Sequence, residues 1–368
     1  MTAYVFLIMF WIAAYYYLLY RSRDITGEVR ENRNKIFIIL AGTALFVIMG
    51  LRHKGVGTDT MQYLRVYHGS SYYDWETIFR TENLLDAEIG FKLWNSLLSF
   101  LHLPDQLYLM VYAMFVVYCT SRFVMKYCKN PFWGFYLNTT IGLFTMSMSG
   151  MRQTLACCIC WLALDFILEK KPIKFFLMVL LAASFHQSAI FFAVFYFARY
   201  IKVNKTTGWL ISGFCMLCIF LRPVLIPLLN LFMPEKYDRY QMVSDQYSVN
   251  PMLVAMGLLI PMFCLFFWER KKIKDEKEEQ RYSLWFAGSF CYAIIAVLSL
   301  SSMMIGRMWM YFYLFNVVLL GNIISEIEDF NTRTLVAVCA ILFPGYLFFK
   351  SQSLGIAPYY FFWQTYGM

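Results

Sequence analysis

The chain has 368 residues, of which 60% are hydrophobic, 20% aromatic and only 15% charged, a balance that excludes an ordinary soluble domain. A formal charge of +9 raises the question of nucleic acid. Membrane proteins, however, collect cytoplasmic Lys and Arg for topological reasons, and no nucleic-acid partner is expected.

Apolar runs recur from end to end, long enough to cross about 30 Å of hydrocarbon as helices and without the strict alternation that a membrane barrel needs. In chain order they predict segments at 2–20, 36–51, 105–121, 132–148, 153–168, 175–198, 208–233, 251–268, 283–303, 305–324 and 334–349, with an amphipathic stretch at 88–103. The expected fold is all-α, a polytopic helical membrane protein of roughly 11–13 transmembrane or re-entrant segments. Residues 1–368 are expected to form a single integral membrane domain, with no internal repeat and no soluble module. The first run, Thr2 to Tyr20, has no basic residue before it and no small-residue cleavage site after it, so it is expected to be retained as a span.

Two stretches are ambiguous. Residues 175–198 form either one long span or a helical hairpin broken near His186, and 88–103 either crosses the bilayer or lies along its surface. If 88–103 does not cross and 175–198 turns back, roughly two thirds of the 32 Lys and Arg residues fall on cytoplasmic loops, the asymmetry that membrane insertion favours. That choice leaves a main exterior loop at 52–90 and a second at 234–250. Nearly all of the ten cysteines lie inside apolar runs, so no disulfide framework is visible.

Several short motifs stand where charge meets the apolar runs. "LRHKGVGTDTMQYLRVY", residues 51–67, brings Arg52, Lys54 and Arg65 around Gly55, Gly57 and Asp59. Glycines there can turn backbone N–H groups to one side and make a concavity for phosphate, or they form a plain turn between snorkelling cations. "SGMRQTLA", residues 149–156, sets Arg152 and Gln153 at the start of a helix, where the dipole and a guanidinium fork suit an anion; the bland alternative is an interfacial anchor. "MMIGRMWMY", residues 303–311, repeats the pattern with Arg307.

"AASFHQSAI", residues 182–190, puts His186 among apolar residues, either as a packing histidine or as a catalytic one. Glu88 opens the amphipathic stretch, and Asp59 and Glu88 are the exterior carboxylates suited to general-base work. Asp165, near Glu169 and Lys170, reads as a structural ion pair. Cys157, Cys158, Cys160, Cys215 and Cys218 read as small core residues, and no metal site or cofactor is expected. Asp74 with Glu76, and Glu326 with Glu328, are weak candidates for a divalent ion. There is no P-loop, no dinucleotide fingerprint and no Asp-x-Asp motif.

Taken together, "RHKGVGTDTMQY", "EIGFKLWNSLL", "RQTLA", "AASFHQSAI" and the late helix with Arg307 resemble the EpsG-type branch of the Wzy polysaccharide polymerases, in the family's order from about residue 50 to 310. The final "PYYFFW" fits less closely. The resemblance implies a membrane glycosyltransferase with a GT-C-like helical fold at the outer face of a bacterial inner membrane. Such an enzyme moves a growing glycan from one undecaprenyl pyrophosphate onto another lipid-linked repeat unit, without ATP or a nucleotide sugar. It also implies a flippase and a chain-length regulator as partners, beside membrane lipid. The matching positions are Arg52, Gly57, Asp59, Glu88, Arg152, Gln153, His186 and Arg307, and the family pattern does not say which is the base. The residues alone leave open a metal-dependent lipid-phosphate glycosyltransferase using Asp74 and Glu76, a ligase of finished glycan, and a lipid-linked glycan transporter.

Overall fold

The computed structural model describes residues 2–20, 27–70, 87–141, 143–230, 251–268, 275–299, 303–350 and 355–365. The expected exterior loop at 234–250 lies outside the described residues, as do Asp74 and Glu76. In chain order the helices are α1 (Thr2–Tyr15, continued by a π-helical turn, Tyr16–Tyr20), α2 (Glu28–Gly50), α3 (Thr60–Ser70), α4 (Ile89–Phe100), α5 (Asp105–Tyr127), α6 (Pro131–Thr140), α7 (Leu143–Ser147), α8 (Met151–Leu168) and α9 (Pro172–Phe185). A 3₁₀ segment (Gln187–Tyr200) leads to α10 (Lys205–Asn230), α11 (Pro251–Trp268), α12 (Glu276–Ser299), α13 (Met303–Met308), a short 3₁₀ turn (Trp309–Tyr311), α14 (Tyr313–Glu326) and α15 (Phe330–Lys350).

Among the described residues six stretches are long and apolar enough to cross a membrane: Thr2–Tyr20, Glu28–Gly50, Asp105–Tyr127, Met151–Leu168, Glu276–Ser299 and Phe330–Lys350. The chain is a multi-pass helical membrane protein. Pro172–Phe185, Lys205–Leu221 and Val254–Trp268 are shorter apolar stretches. The run at 132–148 divides into α6 and α7, with α6 opened by Pro131 at its first position and by Asn130, whose side chain accepts the Phe132 N–H at 3.0 Å. The run at 305–324 divides into α13, the 3₁₀ turn and α14. The amphipathic stretch at 88–103 is α4, whose 12 residues reach only about 18 Å and do not cross. The run at 175–198 breaks at His186, whose backbone is extended (φ −155°, ψ 116°).

The helices form two compact units, residues 1–166, 171–190 and 334–368 in one and 167–170 and 191–333 in the other. In the first, α2 and α5 pack closely because small residues let them: a Cβ on Gly42 would sit 3.0 Å from Ser121 Oγ and 3.4 Å from Val117 Cγ1. Close packing of this kind carries helix association in lipid, where apolar burial gives no net drive. α1 packs on α6 through aromatic contacts, Tyr15 stacked on Phe132 at 4.4 Å and Trp11 against Phe135 at 5.8 Å. α8 lies at the centre, with Cys157, Cys158 and Cys160 wholly buried, as core residues should be. Asp165 near its end pairs with Arg122 (2.7 Å) and Lys126 (2.6 Å) and accepts the Tyr127 hydroxyl, the structural ion pair expected.

In the second unit α12 packs against α10, α11 and α14. A Cβ on Gly288 would run into the Phe315 ring, which is how α12 and α14 approach each other. Trp268 and Tyr282 lie 4.0 Å apart, and the Tyr282 hydroxyl donates to Glu326 Oε1 at 2.6 Å.

Candidate active site

Glu88 stands just before α4, in extended conformation (φ −64°, ψ 153°), and its carbonyl starts the helix by accepting from Phe91 N at 3.1 Å and Lys92 N at 3.0 Å. Its side chain makes no capping bond and turns to three donors from distant parts of the chain. Arg152 Nη1 donates to Oε2 at 2.8 Å, His186 Nδ1 lies 3.0 Å from Oε1, and the Gln187 backbone N–H donates to Oε1 at 3.0 Å. Side-chain exposures of 15% for Glu88, 25% for Arg152 and 16% for His186 leave the group shielded from bulk water but within reach of a ligand.

Local backbone rules explain how these groups meet. Gly90 lets the start of α4 touch the end of α9, since a Cβ there would strike the Ser184 hydroxyl and come within 2.8 Å of the Ser184 carbonyl oxygen. α9 then stops: His186 N still donates to Ala182 O at 3.0 Å, but the extended backbone that follows frees the Gln187 N–H for the carboxylate. Arg152 comes from the first turn of α8, where the positive end of the helix dipole favours a nearby anion. The Tyr63 hydroxyl oxygen of α3 accepts from the Arg152 guanidinium, and the Tyr63 ring lies edge-on to Phe91 at 5.5 Å.

Burial raises the pKa of the Glu88 carboxyl. The hydrogen bond from His186, the charges of Arg152 and His186 and the Gln187 N–H outweigh it and bring the pKa down to about 2. Glu88 is therefore a carboxylate at any ordinary pH and acts only as an acceptor. His186 must then carry a proton on Nδ1, and its neutral form presents a lone pair at Nε2. An imidazole oriented by a carboxylate, beside an arginine with further N–H donors, suits proton removal from a hydroxyl next to a developing negative charge.

The loop before α3 is built differently from a phosphate cradle. Gly57 has φ +94°, and a Cβ there would meet the Met148 carbonyl oxygen, so only glycine fits. Its N–H donates to Gly355 O at 2.8 Å, Val56 N to His53 O at 2.9 Å, Gly55 N to His53 Nδ1 at 3.0 Å and Thr58 N to Ser149 Oγ at 3.1 Å. The loop's N–H groups thus fasten it to the turn before α8 and to the C-terminal segment. That segment pairs with it as a short bridge: His53 N donates to Tyr360 O at 2.8 Å and Phe362 N to Leu51 O at 2.9 Å.

Arg52 is 0% exposed. Its Nη1 donates to Met49 O at 3.1 Å and touches Met148 Sδ at 3.3 Å, its guanidinium lies 5.9 Å from the Tyr112 ring centre, and Nε and Nη2 are buried without a hydrogen bond. Burial pushes its pKa down, and the neighbouring tyrosines Tyr112, Tyr4, Tyr359 and Tyr108 oppose that shift.

A family model described as the EpsG family matches residues 35–366. The chain belongs to the EpsG family. That family includes Wzy-type polymerases, so this is a polysaccharide-polymerase-type membrane protein. No curated protein and no solved structure matches the chain.

Of the residues singled out in this EpsG sequence, Glu88, Arg152 and His186 come together. Asp59 is half-exposed at the start of α3, its carbonyl accepting Tyr63 N at 3.0 Å. Gln153 is buried in α8 next to Arg152. Arg307, half-buried on α13, belongs to the second unit. Among the described residues no group of three His, Cys, Asp or Glu is placed to hold a metal ion. Sequence reasoning missed two members of the site. Tyr63 had a signal, since it lies four residues after Asp59 on the buried face of α3 with Thr60 and Tyr67. Gln187 acts through its backbone and left none.

Proposed function

We propose that this EpsG protein is a glycosyltransferase that polymerises undecaprenyl-pyrophosphate-linked oligosaccharide repeat units at the outer face of a bacterial inner membrane. The observation that supports it is the Glu88 carboxylate holding His186 and Arg152 at 3.0 and 2.8 Å. The acceptor sugar's hydroxyl gives its proton to His186 Nε2 as its oxygen bonds to the anomeric carbon of the donor glycan. The bond from that carbon to the phosphate oxygen breaks, and undecaprenyl pyrophosphate leaves with the electron pair. Arg152 meets the charge that develops on the leaving group, a contribution of about 2.7–4 kcal/mol for a well-placed donor. Proton removal by His186 contributes on the order of 10²- to 10⁴-fold.

Glu88 is a positioning residue in this reading, and Tyr63 steadies Arg152 from the other side. Asp59 is the alternative base. Arg307 is retained as a substrate-binding cation of the second unit, Gln153 as a polar neighbour of Arg152, and Arg52 with Gly57 as supports of the loop that leads to Tyr63. The partners are lipid-linked glycans delivered by a flippase and a chain-length regulator. The test is to incubate the purified protein in nanodiscs with undecaprenyl-pyrophosphate repeat units, with and without EDTA, and resolve the products by length. A ladder in both supports a metal-independent polymerase. No ladder from intact protein and the correct repeat unit contradicts the reading, and a ladder lost on chelation moves it to a metal-dependent transferase.

A further inference from the structure

The C-terminal segment 355–365 carries aromatic side chains that neither the core nor the catalytic group uses. Phe361 and Trp363 stack in parallel, centroids 4.6 Å apart and planes within 4°, and Phe362 meets the Trp363 ring edge-on at 4.9 Å. Trp363 is nonetheless 61% exposed and Phe362 44%. The platform is held stiffly. Gln364 N donates to Phe361 O at 2.9 Å, Phe361 N to Gln364 Oε1 at 2.8 Å, and the bridge to residues 51–53 fixes the whole turn to the exit of α2.

A polar cluster adjoins this bridge. Lys54, next after the paired residues, places Nζ 3.2 Å from Asp105 Oδ2, and His68 Nε2 lies 2.6 Å from Asp105 Oδ1. The neighbouring Gln106 ties the start of α5 to the Gly50 carbonyl. The side chains of Lys54, Asp105 and His68 all remain partly exposed. An exposed aromatic stack carried by the same short bridge as a few fixed hydrogen-bonding groups is a pattern suited to a pyranose ring. The ring's axial C–H bonds lie against the π-face, and its hydroxyls bridge carboxylate and amine.

The same segment is continuous with the catalytic group. Gly355 O accepts Gly57 N, and the next residue, Thr58, donates its N–H to Ser149 Oγ, three residues before Arg152. We propose that Phe361, Trp363, Lys54, Asp105 and His68 form a saccharide subsite that holds sugars of the glycan away from its reacting end. The inference rests on the polymerase reading for its ligand class. Aromatic residues also gather at bilayer interfaces, but an anchor there needs neither the parallel stack nor the hydrogen-bonded group of Lys54, Asp105 and His68.

The experiment uses the full chain in nanodiscs and, as probe, lipid-free and phosphate-free oligosaccharides released from the host's own polysaccharide by partial acid hydrolysis, with binding followed by calorimetry. Wild type is expected to bind them, Trp363→Ala and Asp105→Asn each to weaken binding about tenfold, and Trp363→Phe, which keeps a ring, to retain most of it. In the ladder assay the first two raise KM for the lipid-linked acceptor and shorten the products with little change in the rate at saturation. Unchanged binding and chain length in Trp363→Ala, with loss only of nanodisc yield or melting temperature, overturns the subsite and makes the aromatics an anchor. A wild-type ladder with no oligosaccharide binding also overturns the subsite while leaving the polymerase standing. Oligosaccharide binding that is sensitive to Trp363, in a protein that makes no ladder, supports the subsite and contradicts the polymerase.

Discussion

Glu88 Oε2 and Arg152 Nη1 lie 2.8 Å apart although 64 residues separate them in the chain, and His186, 98 residues from Glu88, shares the same carboxylate. One acid therefore fixes both the base and the cation that the proposed transfer needs. Its own depressed pKa makes it unsuited to taking a proton itself.

Replacing Glu88 by Gln keeps an acceptor oxygen but removes the charge that orders both partners. Transfer is expected to fall about 10²-fold, with the larger share in the rate at saturation, because His186 loses its fixed tautomer. Single-turnover rates against wild type, after matching the amount of inserted protein, check this.

The pH dependence follows from the sign of the Glu88 shift. Its pKa is lowered from 4.5 to about 2, so the folded state binds this proton less readily than the unfolded chain. The stabilisation is full above about pH 4.5 and is lost as pH falls through about 2. The difference in melting temperature between wild type and Glu88→Gln is expected to shrink as pH falls from about 4.5 towards 2. A difference that stayed constant through that range would contradict the depressed pKa.

Gly90 is where α4 and α9 touch. Gly90→Ala would push a methyl group into Ser184, whose backbone carbonyl cannot rotate away as a hydroxyl can. Activity is expected to fall at least about tenfold through lost geometry between Glu88 and His186, since a displacement of about 1 Å is costly at a reacting centre. Protease protection and nanodisc yield should stay near wild type.

Asp165 provides the contrast. Its pairs with Arg122 and Lys126 hold α5 to α8 near the opposite end of α8 from Arg152. Asp165→Ala is expected to cost about 2 kcal/mol of stability and to lower the melting temperature, with activity per folded molecule unchanged. A selective loss of activity would show that this pair does more than hold helices together.

How far the sequence was legible depends on the range over which each feature is encoded. The spans read from local apolar runs because a helix satisfies its own backbone in lipid. The break at His186 and the short α4 were readable from charge asymmetry. The division of 132–148 was not, since residues on both sides of Thr140 are similarly apolar. Glu88, Arg152 and His186 stood out as charges beside apolar runs, but their meeting depends on contacts such as Gly90 with Ser184 that no local pattern announces. Arg52 looked like an exposed phosphate ligand, and only the three-dimensional structure encloses it among Tyr4, Tyr108, Tyr112 and Tyr359. The docking of 355–365 onto 51–58 joins residues some 300 apart and has no periodicity to betray it.

The most direct test of the catalytic centre is the single-turnover transfer rate of His186→Ala in nanodiscs, measured beside wild type and Asp59→Asn with lipid-linked repeat units. The account predicts a fall of about 10²- to 10⁴-fold for His186→Ala and a near-normal rate for Asp59→Asn. A wild-type rate in His186→Ala, with the large loss in Asp59→Asn, would contradict the assignment of the base and move it to the loop before α3.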